Sequence, residues 1–406
     1  MCYAACRLQS NQATMLSAYL RRNNSSSSSS DGKDKDLIAH YELRSCPIPS
    51  LNRKDYPPNT ILVRTIAASI CGSDLFGLGG CASCPEWRRP TALFNAMPGI
   101  CGGSGHEAIG IIVDMVPSES TSSELSIGQK VLAMSTAYMY KVDSVREVIE
   151  KETGQDISSV YPDQCGAFAE YFISHTSTCV KLPDSIPSLD FDPRWYVLAQ
   201  PLGTILHTCH KLGSVINANV AVIGQGQNGL IMTQMLANMG ARRIIALDLL
   251  DERLSYSLKN KATHTIKVTT PMDMDKIKQQ MRAINDGKLC DVTIEMAGHQ
   301  SNTIQLCSKL TRDGGKVLLF GLPPDKSESQ MSIGYEDMAR NLTYICAHSP
   351  EMESFELAVE LIERGICDPS GIFSHTIPFS RFVEAYQMAN GYEDGVVKIL
   401  LSMEEH

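Results

Sequence analysis

Hydrophobic and polar positions follow two rhythms along the chain. From residue 37 to about 200, short apolar or alternating runs at 61–70, 108–116, 129–134, 167–174 and 179–182 read as β-strands, with Gly or Pro between them. A charged stretch at 140–154 reads as a short inserted helix. Near Gln200 the rhythm changes. Residues 202–212 have helical spacing, 220–223 make a brief apolar strand, and 228–239 are apolar at helical spacing up to Gly240, the residue type expected just past a helix end. Strand-like runs at 243–248, 291–296, 316–320 and 342–346 follow, with helical patterns between them. Strands alternating with helices imply a parallel sheet covered on both faces. Helices at 355–364 and 381–389 and a last strand at 396–401 are expected to return to the first half. The expected fold class is α/β. A β domain would span 37–199, completed by 350–406, and a doubly wound parallel-sheet domain would span 200–349.

Composition narrows the function classes. The chain has 406 residues, enough for two or three domains. It lacks any run of about 18 uninterrupted apolar residues, the length a spanning helix needs, so no membrane role is expected. A net charge of −9 argues against a nucleic-acid surface, which needs a basic patch. The 14 cysteines show no repeating frame and read as free thiols in a reducing, cytoplasmic setting. Residues 1–30 hold Arg7, Arg21, Arg22 and many serines but no acid. The segment 1–36 therefore reads as a disordered tail or as a transit segment, the latter implying an organelle matrix.

Gly224-Gln225-Gly226-Gln227-Asn228-Gly229 sits between a strand and a helix and matches the dinucleotide fingerprint. Gly224 permits the tight turn, Gly226 lets backbone approach a pyrophosphate, and Gly229 lets helix and strand pack closely. Gln227 and Asn228 open the helix whose free N–H groups would face the phosphates. Asp248 ends the next strand, 19 positions after Gly229, where a carboxylate accepts from ribose hydroxyls and repels a 2′-phosphate. NAD is thus expected over NADP. Asp251 and Arg253 would flank the adenine or face solvent.

Cys71-Gly72-Ser73-Asp74 directly follows one β run, and Gly105-His106-Glu107 directly precedes another. A thiolate and an imidazole suit Zn²⁺, and a catalytic zinc takes three protein ligands with one position left open. Ser73 would relay the proton of a bound oxygen, and Asp74 would orient His106 through its second ring nitrogen. His207 and His210, spaced i, i+3 on a helix, read as surface or boundary residues, His299 as a loop residue, and Glu295 as structural.

Together with Gly128-Gln129-Lys130-Val131, Gly166-Ala167-Phe168-Ala169-Glu170-Tyr171 and Pro201-Leu202-Gly203, these motifs make residues 37–402 resemble the medium-chain dehydrogenase/reductase superfamily, in its zinc-containing alcohol, polyol and threonine dehydrogenase group. The resemblance implies a GroES-like β domain holding zinc, a Rossmann domain, and an active site in the cleft between them. It implies zinc ligation by Cys71 and His106, with Glu107 as a close or alternative ligand. It places Ala297, Gly298, Phe320 and Gly321 along the nicotinamide, puts Lys398 at a common basic position, and implies a homodimer or homotetramer.

The chain departs from that pattern in three places. Gln200 stands where polyol-type members carry a ligand Glu; Cys71 and Glu107 could still neutralise Zn²⁺, with the weaker amide oxygen of Gln200 or a water completing the shell. The four clustered cysteines of a structural zinc lobe are missing, and Cys81, Cys84 and Cys101 read as ordinary thiols, so no structural zinc is expected. Phe76 replaces a relay His, and the long segment 77–103 would reshape the substrate mouth. The expected activity is NAD-dependent interconversion of an alcohol, secondary or polyol-like, and its carbonyl by zinc-assisted hydride transfer. A zinc-independent NAD(P)H reductase of the same fold and a non-catalytic nucleotide-binding protein are the alternatives.

Overall fold

The computed structural model describes residues 13–22, 39–51, 56–75, 101–118, 124–136, 165–298, 301–321, 334–347 and 352–403, with four isolated positions at 147, 150, 151 and 154. The inserted helix proposed at 140–154 therefore lies almost wholly outside the described residues, as do Phe76, Cys81, Cys84 and His299.

Two larger sheets carry the fold. The first is mixed, in the order β14-β15-β3-β4-β5-β7, with β6 paired to β3. Its strands are β3 (Thr60–Ser69), β4 (Ala108–Met115), β5 (Lys130–Ala133), β6 (Tyr171–His175), β7 (Cys179–Lys181), β14 (His375–Pro378) and β15 (Ile399–Ser402). β15 comes from the chain's end and pairs antiparallel with β3. The second sheet is wholly parallel. It consists of β8 (Asn219–Ile223), β9 (Arg243–Asp248), β10 (His264–Lys267), β11 (Cys290–Glu295), β12 (Thr311–Leu319) and β13 (Thr343–Cys346), in the order β10-β9-β8-β11-β12-β13. That is the doubly wound order, with its switch point between β8 and β11. β8 and β9 are apolar along nearly their whole length because helices cover both faces, so an in–out alternation would be the wrong pattern for them.

The helices of this half are α1 (Ala199–Leu212), α2 (Gln227–Asn238), α3 (Asp251–Lys259), α4 (Met274–Ile284), α5 (Ser301–Leu310), α6 (Tyr335–Ala339) and α7 (Met352–Glu363). α8 (Phe382–Gly391) packs on the first sheet. The main core is continuous between the halves. It runs from Leu62 and Ile109 through Leu202 and Ile205 of α1 to Val222, Leu230 and Phe355.

Part of the segment read as a tail is ordered. β1 (Thr14–Arg22) pairs antiparallel with β2 (Ala39–Pro47) over its full length. Met15, Ser17 and Ala18 are buried, enough to seat the strand, whereas arginine- and serine-rich composition alone suggested no structure there. Positions 1–12 and 23–38 lie outside the described residues. The hairpin reaches the first sheet through hydrogen bonds from the Ala18 amide to Phe168 O (2.9 Å) and from the Gly102 amide to Ala18 O (2.9 Å). The Cys101 thiol also donates to Cys46 Sγ at 2.9 Å.

α1 crosses α7 where Gly203 faces the buried Phe355 ring, and a Cβ at residue 203 would lie 2.4 Å from Phe355 Cδ1. Alanine gains about 0.5–1 kcal/mol in a helix interior, but overpacking a rigid core costs about 1–3 kcal/mol. Gly203→Ala is expected to destabilise the protein by about 1–2 kcal/mol net, seen as a lower denaturant midpoint at unchanged m-value. A midpoint equal to or above that of the parent protein would show that the ring yields freely.

Candidate active site

The cluster forms where three strand ends of the first sheet meet. Antiparallel pairing of β3 with β4 aligns Ala68 with Ala108, and the Ser69 amide donates to Glu107 O at 3.0 Å. The chain leaving β3 with Cys71 thus runs beside the chain entering β4 with His106 and Glu107. On the other flank of β3, Leu400 aligns with Ser69, which brings Lys398 alongside the end of β3, where its Nζ reaches Ile70 O. One ligand atom from each of Cys71, His106 and Glu107 falls within 4.8 Å of the others. Sulfur, imidazole nitrogen and carboxylate oxygen together are a donor set suited to Zn²⁺.

Around His106 the sequence expectation needs refinement. Nδ1 lies 2.9 Å from Ser104 O and 3.4 Å from Asp74 Oδ1, so a backbone carbonyl holds the ring with Asp74 behind it. Nε2 faces the other way, 3.5 Å from Ser73 Oγ. Burial disfavours a charged imidazole, but the Asp74 carboxylate outweighs it and lifts His106 well above the ordinary histidine range. Asp74 also accepts from the Cys71 amide (2.8 Å) and from Ser104 Oγ (2.7 Å), so it ties both ligand segments together. Tyr41 Oη sits 3.2 Å from Ser104 Oγ, and Tyr386 Oη donates to Asp74 O at 2.9 Å. Nothing in local sequence marked Ser104, Tyr41 or Tyr386: the two tyrosines and the Ser104 hydroxyl act through tertiary contacts, and the Ser104 carbonyl is a backbone group any residue would carry.

Glu107 is more heavily engaged than a waiting ligand. Its Oε2 accepts from Lys398 Nζ and Ser69 Oγ, and all three side chains are buried. Burial would raise its pKa, but the Lys398 ammonium more than offsets this and holds the carboxyl below its usual range. Lys398 also donates to Ile70 O (3.2 Å) and to Gln227 Oε1. Gln200, on the first turn of α1, is buried.

On the parallel sheet, the residues expected to hold a dinucleotide all follow the carboxyl ends of strands. Gly224 leaves β8 with φ +95°, and a Cβ there would meet the Ala297 amide at 2.8 Å. A Cβ on Gly229 would lie 2.0 Å from Gly224 O, so helix and turn meet too closely for any side chain. Gly226 caps α2 with no side-chain hydrogen bond, leaving the first N–H groups of the helix for an anion. Asp248 ends β9 and accepts from the Gln225 amide (2.6 Å) and the Leu250 amide (2.9 Å). Arg253 stacks on Tyr392 at 4.7 Å, and its buried Nε has no hydrogen-bond partner.

After β11, Glu295 Oε1 accepts from the Ala297 amide, the Gly298 amide and Thr303 Oγ1 at 2.8–3.0 Å. A Cβ on Gly321 would strike both Glu295 and Gly298, which explains glycine after the buried Phe320. Glu295 thus shapes the turn, as the sequence suggested. His207 is partly buried and His210 exposed.

The side chain of Gln227 was not foreseen. Its Nε2 donates to Cys71 Sγ (3.4 Å) and to Glu107 Oε1 (3.3 Å), which brings the glycine turn of one sheet to the candidate metal ligands of the other. A fingerprint reports what the backbone does at that position, and the side chain was free to be anything.

Comparison with known proteins agrees with both halves. Residues 57–184 match the profile of the alcohol dehydrogenase GroES-like domain, and 229–364 match that of the zinc-binding dehydrogenase. The chain is 24% identical over 361 residues to an L-threonine 3-dehydrogenase of Chromobacterium violaceum, covering 88% of this chain and 95% of that protein. It is 26% identical over 339 residues to an L-idonate 5-dehydrogenase of Vitis vinifera, covering 82% and 84%. Among solved structures, an alcohol dehydrogenase from Thermus sp. ATN1 superposes with a TM-score of 0.69 at 22% identity, covering 90% of this chain and 97% of that one.

Breaking a buried ion pair by removing one partner costs about 3–5 kcal/mol. Lys398→Met is expected to destabilise the protein by that amount at neutral pH. The native Glu107 carboxyl is depressed, so its contribution is present above the unfolded value of about 4.3 and is lost as pH falls through the folded pKa. Without Lys398, burial leaves Glu107 raised, so the variant regains stability as pH falls through that raised pKa to about 4.3, and the gap narrows further below it as the parent loses its own contribution. Denaturation curves at several pH values check this, and a penalty independent of pH would contradict it.

Proposed function

Because the chain belongs to the zinc-containing medium-chain dehydrogenase/reductase superfamily, we propose that it interconverts an alcohol, secondary or polyol-like, and its carbonyl by NAD-dependent hydride transfer at a zinc site held by Cys71 and His106. The observation that carries this reading is the convergence of the Cys71, His106 and Glu107 ligand atoms within 4.8 Å, joined by the Gln227 side chain to the dinucleotide turn. Relatives named as threonine and idonate dehydrogenases support an alcohol carbon as the reacting centre.

The residues fit the implied metal. Cys71 supplies a soft sulfur, and His106 has its Nδ1 engaged by Ser104 O, which leaves Nε2 for the ion. Lys398 and Ser69 hold Glu107 Oε2, so Glu107 Oε1, with the Gln200 amide oxygen as the weaker alternative, is left to serve as the third donor. Bound there, zinc supplies Lewis-acid chemistry that favours the deprotonated alcohol, and NAD supplies the hydride acceptor.

The chain's own residues do the rest. Ser73 Oγ, on the Nε2 side of His106, takes the hydroxyl proton toward solvent. Asp74 and Ser104 fix the imidazole plane. Gly224, Gly226, Gly229 and the uncapped start of α2 take the pyrophosphate, Asp248 takes the ribose hydroxyls, and Arg253 stands beside them. Ala297, Gly298, Phe320 and Gly321 line the nicotinamide side. Asp248 and the following Leu249 favour NAD, since a carboxylate repels a 2′-phosphate. β13 is the last strand of its sheet among the described residues, an edge on which a second copy can add, consistent with a homodimer or homotetramer. No helix among the described residues is long and apolar enough to cross a membrane.

Elemental analysis of protein purified without a metal-binding tag should find about one zinc per chain, the stoichiometry of a catalytic site alone. Cys71→Ala and His106→Ala should abolish both the zinc and NAD-linked turnover of a panel of secondary alcohols and polyols. Asp74→Asn should cost about 10–100-fold in zinc affinity or activity. Full activity after thorough chelation would instead select the zinc-independent reductase, and dinucleotide binding without turnover would select a non-catalytic protein.

A further inference from the structure

Gln227 is the first residue of α2, so its backbone N–H is among those left free at the helix start. Its side chain is buried and reaches three groups far away in sequence: Cys71 Sγ at 3.4 Å, Glu107 Oε1 at 3.3 Å and Lys398 Nζ. The amide orientation is determined by its partners. Lys398 can only donate, so the carbonyl oxygen must face it, and the NH₂ must face the sulfur and the carboxylate. One residue therefore turns its backbone toward the dinucleotide phosphates and its side chain toward the metal ligands.

The geometry points to Gln227 as a positioning residue that couples the two sites: dinucleotide binding at the glycine turn tightens metal binding at Cys71 and His106, and metal binding tightens dinucleotide binding by the same factor. This rests on the functional reading above. The physical path is short. A pyrophosphate on the turn fixes the Gln227 backbone, and the amide then holds Cys71 Sγ and Glu107 Oε1 in place. Less ordering remains for the ion to impose, so it binds more tightly. Linkage requires the reciprocal effect on the dinucleotide.

The test measures zinc affinity by competition with a chromophoric chelator, with and without saturating NADH, and NADH affinity by fluorescence titration of zinc-loaded and chelated protein. We expect each affinity to rise by about 5-fold or more when the other ligand is present. In Gln227→Met, which keeps length and packing but removes the donors and the acceptor, the factor should fall to within about 2-fold of unity. Its melting temperature and NADH affinity report whether the turn still folds. If that variant does not fold, Gln227→Asn, which keeps the amide one methylene short, should show a reduced factor.

Independent binding of zinc and NADH in the unaltered protein would overturn the coupling while leaving the dehydrogenase reading intact. Undiminished coupling in a folded Gln227→Met would do the same for the role of the side chain. A protein that binds neither zinc nor NADH would overturn the functional reading itself.

Discussion

An ammonium and a carboxylate held away from water each cost several kcal/mol unless they are matched and hydrogen-bonded. Lys398 and Glu107 lie fully buried where β3 ends and β4 and β15 begin, and nearly every feature of the site meets that requirement. Ser69 serves the carboxylate, Ile70 O serves the ammonium, and Gln227 serves both. The pair also sets the charge that a metal would meet.

The two sheets contribute by different rules. In the parallel sheet, the candidate dinucleotide residues gather at the carboxyl ends of strands because helices and turns must leave the sheet there, and glycines let the chain turn tightly. In the mixed sheet, the candidate metal ligands gather where antiparallel register places the exit of one strand beside the entrance of another. Cys71 and His106 are brought together by that register and not by any local motif. The His106 ring is then fixed by its own neighbour's carbonyl, Ser104 O, a more rigid arrangement than a flexible side chain alone would give.

Much of this was legible in sequence, and the division is physical. The glycine fingerprint and Asp248 could be read because a β-turn-α unit is local, and Gly224 and Gly229 answer contacts a Cβ would violate. The alternation of strands and helices after Gln200 could be read because burial on two faces leaves continuous apolar runs. Cys71 and His106 could be paired because unusual chemistry occurred at both strand ends. The Lys398–Glu107 pair spans 291 positions and gave no local signal. The Gln227 side chain was hidden behind a motif that speaks only for backbone. β1 was missed because its short buried pattern lies among arginines and serines that dominate any compositional average.

That first strand has a practical consequence. The Gly102 amide is held by two adjacent residues of β1, by Ala18 O at 2.9 Å and Ser17 Oγ at 2.7 Å, four residues ahead of His106. A shortened protein designed by trimming the serine-rich leader would discard the mooring of the loop that carries the imidazole. Ser17 and Ala18 thus act as a strut for the segment that presents His106.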